Sequence, residues 1–304
     1  MVLCRARSRT AIDHRAIDNR PPICNDVALQ NCRRNHVSKL TGLILALAGA
    51  AAMLSAPAGA DTHKSSKSEK SDDDLAANPG RDALRQIVQN QCVVNWSRRQ
   101  DPAPCERVYL ADSKTNRSGY AVLADAKGGA HYLLIPVQTM TGLDGNELLD
   151  PDTPNYFAEA WRAHDLIDKF VGHQVPRSAI GLVVNKAQAR SQDQFHIHIE
   201  CLRQDAFDSL RAAAEQLTDH WSPVSVAGLP YDALRIGSGS LDGTNPFDLL
   251  ASWKPDARNH LGSYTVVVIG MQFNSGPGFI ELTGTGPTGE LLLDPSCAVA
   301  GGGG

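Results

Sequence analysis

The octapeptide QFHIHIEC, Gln194 to Cys201, limits what this chain can fold into more than any other stretch. It alternates apolar and ionisable side chains with a period of two, which is the spacing of a β-strand with two different faces. Phe195, Ile197 and Ile199 fall on one face and read as core, while His196, His198 and Glu200 fall on the other. Two imidazoles and a carboxylate on one sheet face are costly to bury without partners, so that face is expected to line a cleft. The fold must therefore contain a sheet covered on one side and partly open on the other.

The rest of the chain supplies the other layers. Arg81–Gln91 spaces Leu84, Ile87 and Val88 at helical intervals. Residues 119–125 and 130–137 are apolar runs separated by Ala126-Lys127-Gly128-Gly129, a hairpin signal, and Pro136 closes the second strand. A Gly-, Asp- and Pro-marked loop over 141–155 precedes one long helix over 156–173. That helix carries Phe157, Trp161, Leu166 and Phe170 on one face, with Asp152, Thr153 or Asn155 as cap and Pro154 in its early turn. Phe157 and Trp161 read as core, and His164 and His173 as exposed. A strand over 179–185, the loop 186–193, the histidine strand and a helix over 205–221 come next. A polar, glycine-rich connection then leads to a short helix over 246–253 and a hairpin of 264–273 with 278–285. Hairpin-joined strands interrupted by a few helices predict an α+β protein with a largely antiparallel sheet and flanking helices.

The N-terminal part differs in character. Residues 40–60 hold no charge, follow Arg33, Arg34 and Lys39, and end in Ala58-Gly59-Ala60, which reads as a signal peptide or an N-terminal membrane anchor. Residues 1–36 are long for the charged region before such a run, and Val37 is a conceivable alternative start. Residues 61–80 are Ser-rich and charged, a flexible linker; the expected globular domain covers 81–299, and 300–304 form a glycine tail. Beyond residue 60 the balance is 21 basic against 30 acidic side chains, which argues against a nucleic-acid binder. Three cysteines, Cys4, Cys24 and Cys32, lie in the leader and four, Cys92, Cys105, Cys201 and Cys297, in the exported part. An even number in an oxidising compartment suggests two disulfides. Of the three possible pairings the one favoured is Cys92–Cys105, closing a short loop, with Cys201–Cys297 tying the C-terminus to the histidine strand. No C-x-x-C spacing occurs, so zinc is not expected.

The loop before the histidine strand carries Lys186 and Arg190, which could neutralise a phosphate, and histidine is a competent nucleophile toward phosphorus when its other ring nitrogen is held. On these residues the chain resembles the histidine-triad (HIT-like) superfamily of nucleotide hydrolases and transferases, whose motif alternates histidines with apolar residues and whose second histidine becomes nucleotidylated. Two registers fit, Gln194/His196/His198 and His196/His198/Glu200. The spacing of Asn185, Gln192 and His196 favours the second, with His198 as nucleophile. The segments RSQDQFHIHIECLR, LLIPV, DPDTPNYFAEAW and NPFDLLA, with the four cysteines of the exported part, further resemble the CDP-diacylglycerol pyrophosphatases over about residues 81–297.

That resemblance implies hydrolysis of CDP-diacylglycerol to CMP and phosphatidate through a cytidylyl-histidine. His196 would orient His198 or the phosphate. Asn185, Lys186, Arg190, Gln192 and the turn amides of 191–193 would hold the substrate or its loop. It implies no metal and no cofactor, hence activity that survives chelators. The partners implied are a lipid-linked nucleotide and a membrane surface at the periplasmic side of a bacterial inner membrane, with no nucleic acid and no obligate protein partner. Glu200 departs from the superfamily's third His or Gln, and an ionised Glu can only accept a hydrogen bond. The alternatives are a related enzyme acting on a soluble nucleotide and a non-catalytic exported nucleotide- or lipid-binding protein.

Overall fold

The computed structural model describes residues 80–110, 119–254 and 256–301; the leader, nearly all of the linker and residues 302–304 lie outside them. Among the described residues nine strands form one sheet: β1 (Arg107–Tyr109), β2 (Tyr120–Ala124), β3 (His131–Pro136), β4 (Ile180–Val184), β5 (Ile197–Cys201), β6 (Ser222–Val226), β7 (Leu229–Ile236), β8 (Thr265–Phe273) and β9 (Gly276–Gly284). Their spatial order is β1-β2-β3-β5-β4-β8-β9-β7-β6, and every pairing is antiparallel. With several helices against it, the protein is mixed α+β, as the alternating hairpin signals predict. Among the described residues no helix is long and apolar enough to cross a membrane.

One sheet face carries the main core. Phe195, Ile197 and Ile199 pack there with Phe157, Ile167, Phe247 and Leu250 from α3 (Tyr156–Arg162), α4 (Asp165–Val171) and α6 (Pro246–Trp253). The opposite face is covered in two separate places. At the β1–β3 end, α1 (Ala83–Ile87) runs through a π-type turn (Val88–Cys92) into α2 (Val93–Arg99), and this helical segment buries Leu84, Val88 and Cys92 against Leu123 and Leu133. At the other end, α5 (Gln204–Ala213) buries Ala206 and Leu210 with Val183, Val267 and Ile280. His198 is paired across β5 with Leu133 on one side and Val183 on the other, so it stands at the seam between the two covers. That seam is where the histidine face finds its cleft.

Three sequence expectations need correction. The single helix over 156–173 is two: Ala163 ends α3, and the His164 ring bonds the Trp161 carbonyl and stacks on the indole at 4.5 Å, competing with the helical ladder at that turn. The break re-phases the second half, so Leu166 and Ile167 are buried and Phe170 is exposed. Asn155 is the cap, its side chain accepting from the Ala158 amide at 3.2 Å. The helix over 205–221 is shorter, with α5 ending at Ala213 and a single 3-10 turn over Ala214–Gln216. The first part of the expected glycine-rich connection is the β6–β7 hairpin, and only residues 237–245 remain a glycine-rich link to α6. The hairpin's two-residue turn, Ala227-Gly228, has both residues at positive φ, 51° and 77°. Such turns are usually announced by Asn-Gly or Asp-Gly, and Ala in the first position hid this one. Both disulfides, Cys92–Cys105 and Cys201–Cys297, are paired as favoured from the sequence.

Candidate active site

β5 begins at Ile197, with His196 one residue before it and both imidazoles nearly buried, at 8% and 4% exposure. Upstream, the Gln194 amide donates to the Pro136 and Gln138 carbonyls (3.0 and 2.8 Å) and accepts from the Met140 amide (3.3 Å). Position 194 is thus fully occupied in holding the β3 exit loop, which disfavours the register that would make it a site residue. His196 Nδ1 donates to the Gln194 carbonyl at 2.8 Å, leaving Nε2 as its free nitrogen.

His198 is held from behind. Its Nδ1 lies 2.9 Å from Nε2 of His131, at the start of β3, and His131 Nδ1 lies 3.3 Å from Glu200 Oε2 and 3.8 Å from Asp125 Oδ1. Burial lowers the pKa of all three histidines, His198 well below its ordinary value with the charges of His196, His131 and Lys127 adding to it. All three rings are therefore neutral, and each carries one proton. With the His131 proton placed on Nδ1, the side of the Glu200 and Asp125 carboxyls, His131 Nε2 accepts from His198 Nδ1–H and the lone pair of His198 Nε2 is free. Among the described residues Nε2 has no hydrogen-bond partner.

His198 lines a cavity of about 530 Å³. Its polar end is lined by His196, His198, Asp125, Lys127, Gln192 and Glu290, and its apolar wall includes Leu84, Ile87, Leu123 and Leu133 from the helix and sheet. Glu290 projects from a 3-10 turn, Gly289–Leu292, with Oε1 3.3 Å from His198 Nε2. The turn can approach so closely because of Gly289: a Cβ there would lie 2.6 Å from Val183 Cγ1 and 2.8 Å from Val267 Cγ2.

The residues proposed from the sequence divide clearly. His196, His198 and Gln192 line the cavity, and Gln192 also ties α1 to the loop by accepting from the Leu84 amide (3.2 Å) and donating to the Gly80 carbonyl (2.8 Å). Asn185 is buried beside it, donating to Glu290 Oε1 at 2.5 Å and accepting from Thr288 Oγ1 at 2.6 Å. Glu200 lies outside the cavity, behind His131, 3% exposed, and burial together with the Glu290 charge pushes its carboxyl up to about 8. Lys186 and Arg190 are not brought to the cavity wall: Lys186 Nζ binds the Thr285 and Gly286 carbonyls, and Arg190 pairs with Asp144 at 2.5 Å. The phosphate charge expected of that loop is instead available from Lys127, whose Nζ sits 3.1 Å from Glu290 Oε2.

Sequence reasoning missed His131, Asp125, Lys127 and Glu290. His131 shares the parity of Leu133 and Ile135 in β3, but only the β3–β5 pairing, His131 opposite Glu200, shows that it meets His198. Lys127 was hidden in a hairpin turn, and Glu290 is about ninety positions downstream of β5 with no local pattern to mark it.

Fold and site together define an α+β protein that presents a neutral, oriented imidazole to a cavity beside a lysine, an arrangement suited to nucleophilic attack on a phosphorus centre. Residues 79–301, well over half of the chain, match the family model described as CDH, CDP-diacylglycerol pyrophosphatase, and the chain belongs to that family. It is a hydrolase acting on the diphosphate bond of CDP-diacylglycerol. Splitting that bridge with water yields CMP and phosphatidate.

Proposed function

We propose that hydrolysis proceeds through a cytidylyl intermediate on His198 Nε2, in a HIT-like fold. The observation that carries the reading is the state of His198, a residue of the cavity wall: one nitrogen held by His131, the other without a hydrogen-bond partner among the described residues. Nε2 attacks the cytidine-linked phosphorus in line, the bond to the bridging oxygen breaks, and phosphatidate departs with that electron pair. Its leaving oxygen belongs to a phosphate, so departure needs no strong acid. The imidazolium formed on His198 keeps its Nδ1 proton, shared with His131, while Glu200 holds His131. Position 200 thus acts through His131, a different part from the superfamily's third residue. Lys127 and Asn185 hold nonbridging oxygens, since phosphoryl transfer depends on positioning and charge stabilisation. Choice of the cytidine-linked phosphorus follows the resemblance to histidine-triad enzymes.

The same reading puts the protein outside the cytoplasm, at the periplasmic membrane surface, exported or anchored by residues 40–60, where its lipid substrate lies. The test is rapid quenching with CDP-diacylglycerol labelled in the cytidylate. Wild type should carry label on His198, and His198→Ala should carry none and lose turnover by at least about 10⁴-fold. His196→Ala should retain partial activity. Label on His196, label in the phosphatidyl half, or an active His198→Ala enzyme overturns the scheme. A soluble CDP ester turned over as fast as the lipid would favour the soluble-nucleotide alternative.

A further inference from the structure

A covalent cytidylyl-histidine must be broken by water, and no step so far removes the proton that water loses. The cavity wall offers few groups for it. Glu200 is screened by His131, and Asp125 accepts the Lys127 amide through Oδ1 at 2.7 Å, capping its own turn. His196 keeps a lone pair on Nε2, but burial disfavours the imidazolium that taking up a proton would make, so it is the weaker base. Glu290 is the carboxylate beside the reacting nitrogen.

From this geometry we infer that Glu290 is a catalytic residue, the general base of the second, hydrolytic half-reaction; the inference rests on the His198 intermediate proposed above. Phosphorus must come to roughly 3–3.5 Å from Nε2 to react, and Glu290 Oε1 now occupies a point 3.3 Å from that atom. A substrate phosphate therefore takes over the position of Oε1, together with its hydrogen bond from Asn185 Nδ2 and its proximity to Lys127. The displaced carboxylate stays near, because Gly289 pins its backbone against Val183 and Val267 while its side chain, 32% exposed, is free to rotate toward the cavity mouth. Phosphatidate leaves from the side of phosphorus opposite Nε2, and water enters by the same route. The water oxygen bonds to phosphorus as the phosphorus–Nε2 bond breaks, that bond's electron pair returns to Nε2, and the water proton passes to Glu290. CMP leaves, His198 is again neutral with its proton on Nδ1, and Glu290 releases its proton to solvent.

The experiment is rapid-quench kinetics on Glu290→Gln, which keeps the size of the side chain and an oxygen for Lys127 but loses the base. Phosphatidate should appear in a burst of one equivalent per enzyme, cytidylyl-His198 should accumulate, and steady CMP release should fall about 10²- to 10³-fold. Fluoride, a nucleophile with no proton to lose, should restore turnover and give cytidine phosphorofluoridate. Wild-type turnover by Glu290→Gln, or slow turnover with no more cytidylyl-enzyme than wild type, overturns the assignment. So does a lower KM with unchanged kcat, the mark of a carboxylate that merely competes with the phosphate. The two ideas fail separately: an active His198→Ala enzyme removes the covalent scheme, whereas label on wild-type His198 that does not build up in Glu290→Gln removes only the base.

Discussion

Replacing Glu200 by Gln should stabilise the protein in alkali while leaving the site in working order. The carboxyl is 3% exposed and its folded-state pKa is raised from an ordinary 4.5 to about 8, chiefly by burial and then by the Glu290 charge. A raised carboxyl pKa means that the folded state binds the proton more tightly than the unfolded one. The contribution of this group to stability is therefore full below pH 4.5 and is lost as pH rises toward 8. Each pH unit between the two values removes about 1.4 kcal/mol, so from pH 5 to pH 9 the wild type should lose about 4 kcal/mol through this group alone. Glu281, fully buried in β9 without a hydrogen-bond partner among the described residues and pushed well above the carboxylate range by burial, adds a loss of the same sign. The quantity to measure is thus the wild-type change minus the Glu200→Gln change, from urea denaturation at the two pH values with disulfides intact. It should appear as a difference of roughly 1–2 M in midpoint. Because Gln keeps a polar oxygen beside His131 Nδ1, where Glu200 Oε2 now lies 3.3 Å away, its kcat should stay within a few-fold of wild type, whereas Glu200→Leu should lose about 10- to 100-fold. Identical pH dependence in wild type and Glu200→Gln would refute the burial argument. Equal activity in the Gln and Leu variants would refute the role of His131 as the holder of His198.

Two further perturbations probe how the Glu290 segment is held, beside the histidine and Glu290 variants already described. Gly289→Ala would place a methyl within 2.6–3.0 Å of Val183, Val267 and Thr265; differential scanning calorimetry should show a loss of about 1–3 kcal/mol, and lifting the turn should slow CMP release. Removing Cys201–Cys297, which spans 96 residues, should cost about 4–5 kcal/mol in urea, against about 3 kcal/mol for Cys92–Cys105, which spans 13. The first should also reduce kcat, since Cys297 anchors the segment whose Pro295 carbonyl accepts from Ala130 beside His131.

How much was legible follows from the range of each signal. β5 could be read because its period of two is local, and Phe195, Ile197 and Ile199 do enter the main core as the alternation requires. The α3–α4 break was not readable, because the apolar spacing runs on through Ala163 and only the His164 ring's bond to the Trp161 carbonyl interrupts it. The β6–β7 hairpin was missed because Ala227 adopts the left-handed conformation without the Asn or Asp that usually advertises it.

The site divides along the same line. His196 and His198 are neighbours in sequence and announce themselves, but what makes His198 chemically distinct comes from three other segments: His131 across a strand pair, Lys127 on a hairpin turn, and Glu290 folded back against the sheet. Lys186 and Arg190 were plausible phosphate ligands because a loop before a histidine strand lies near the histidines. Loop position alone does not fix where a long side chain ends, and each found oxygens closer by: carbonyls of 285 and 286 for the lysine, Asp144 for the arginine. A cation bound to its own protein's oxygens must break those bonds before serving a substrate. Lys127 is paired as well, with Nζ 3.1 Å from Glu290 Oε2, but its partner is a side chain lining the cavity and 32% exposed, so in the proposed scheme one rotation of Glu290 frees it beside the phosphate.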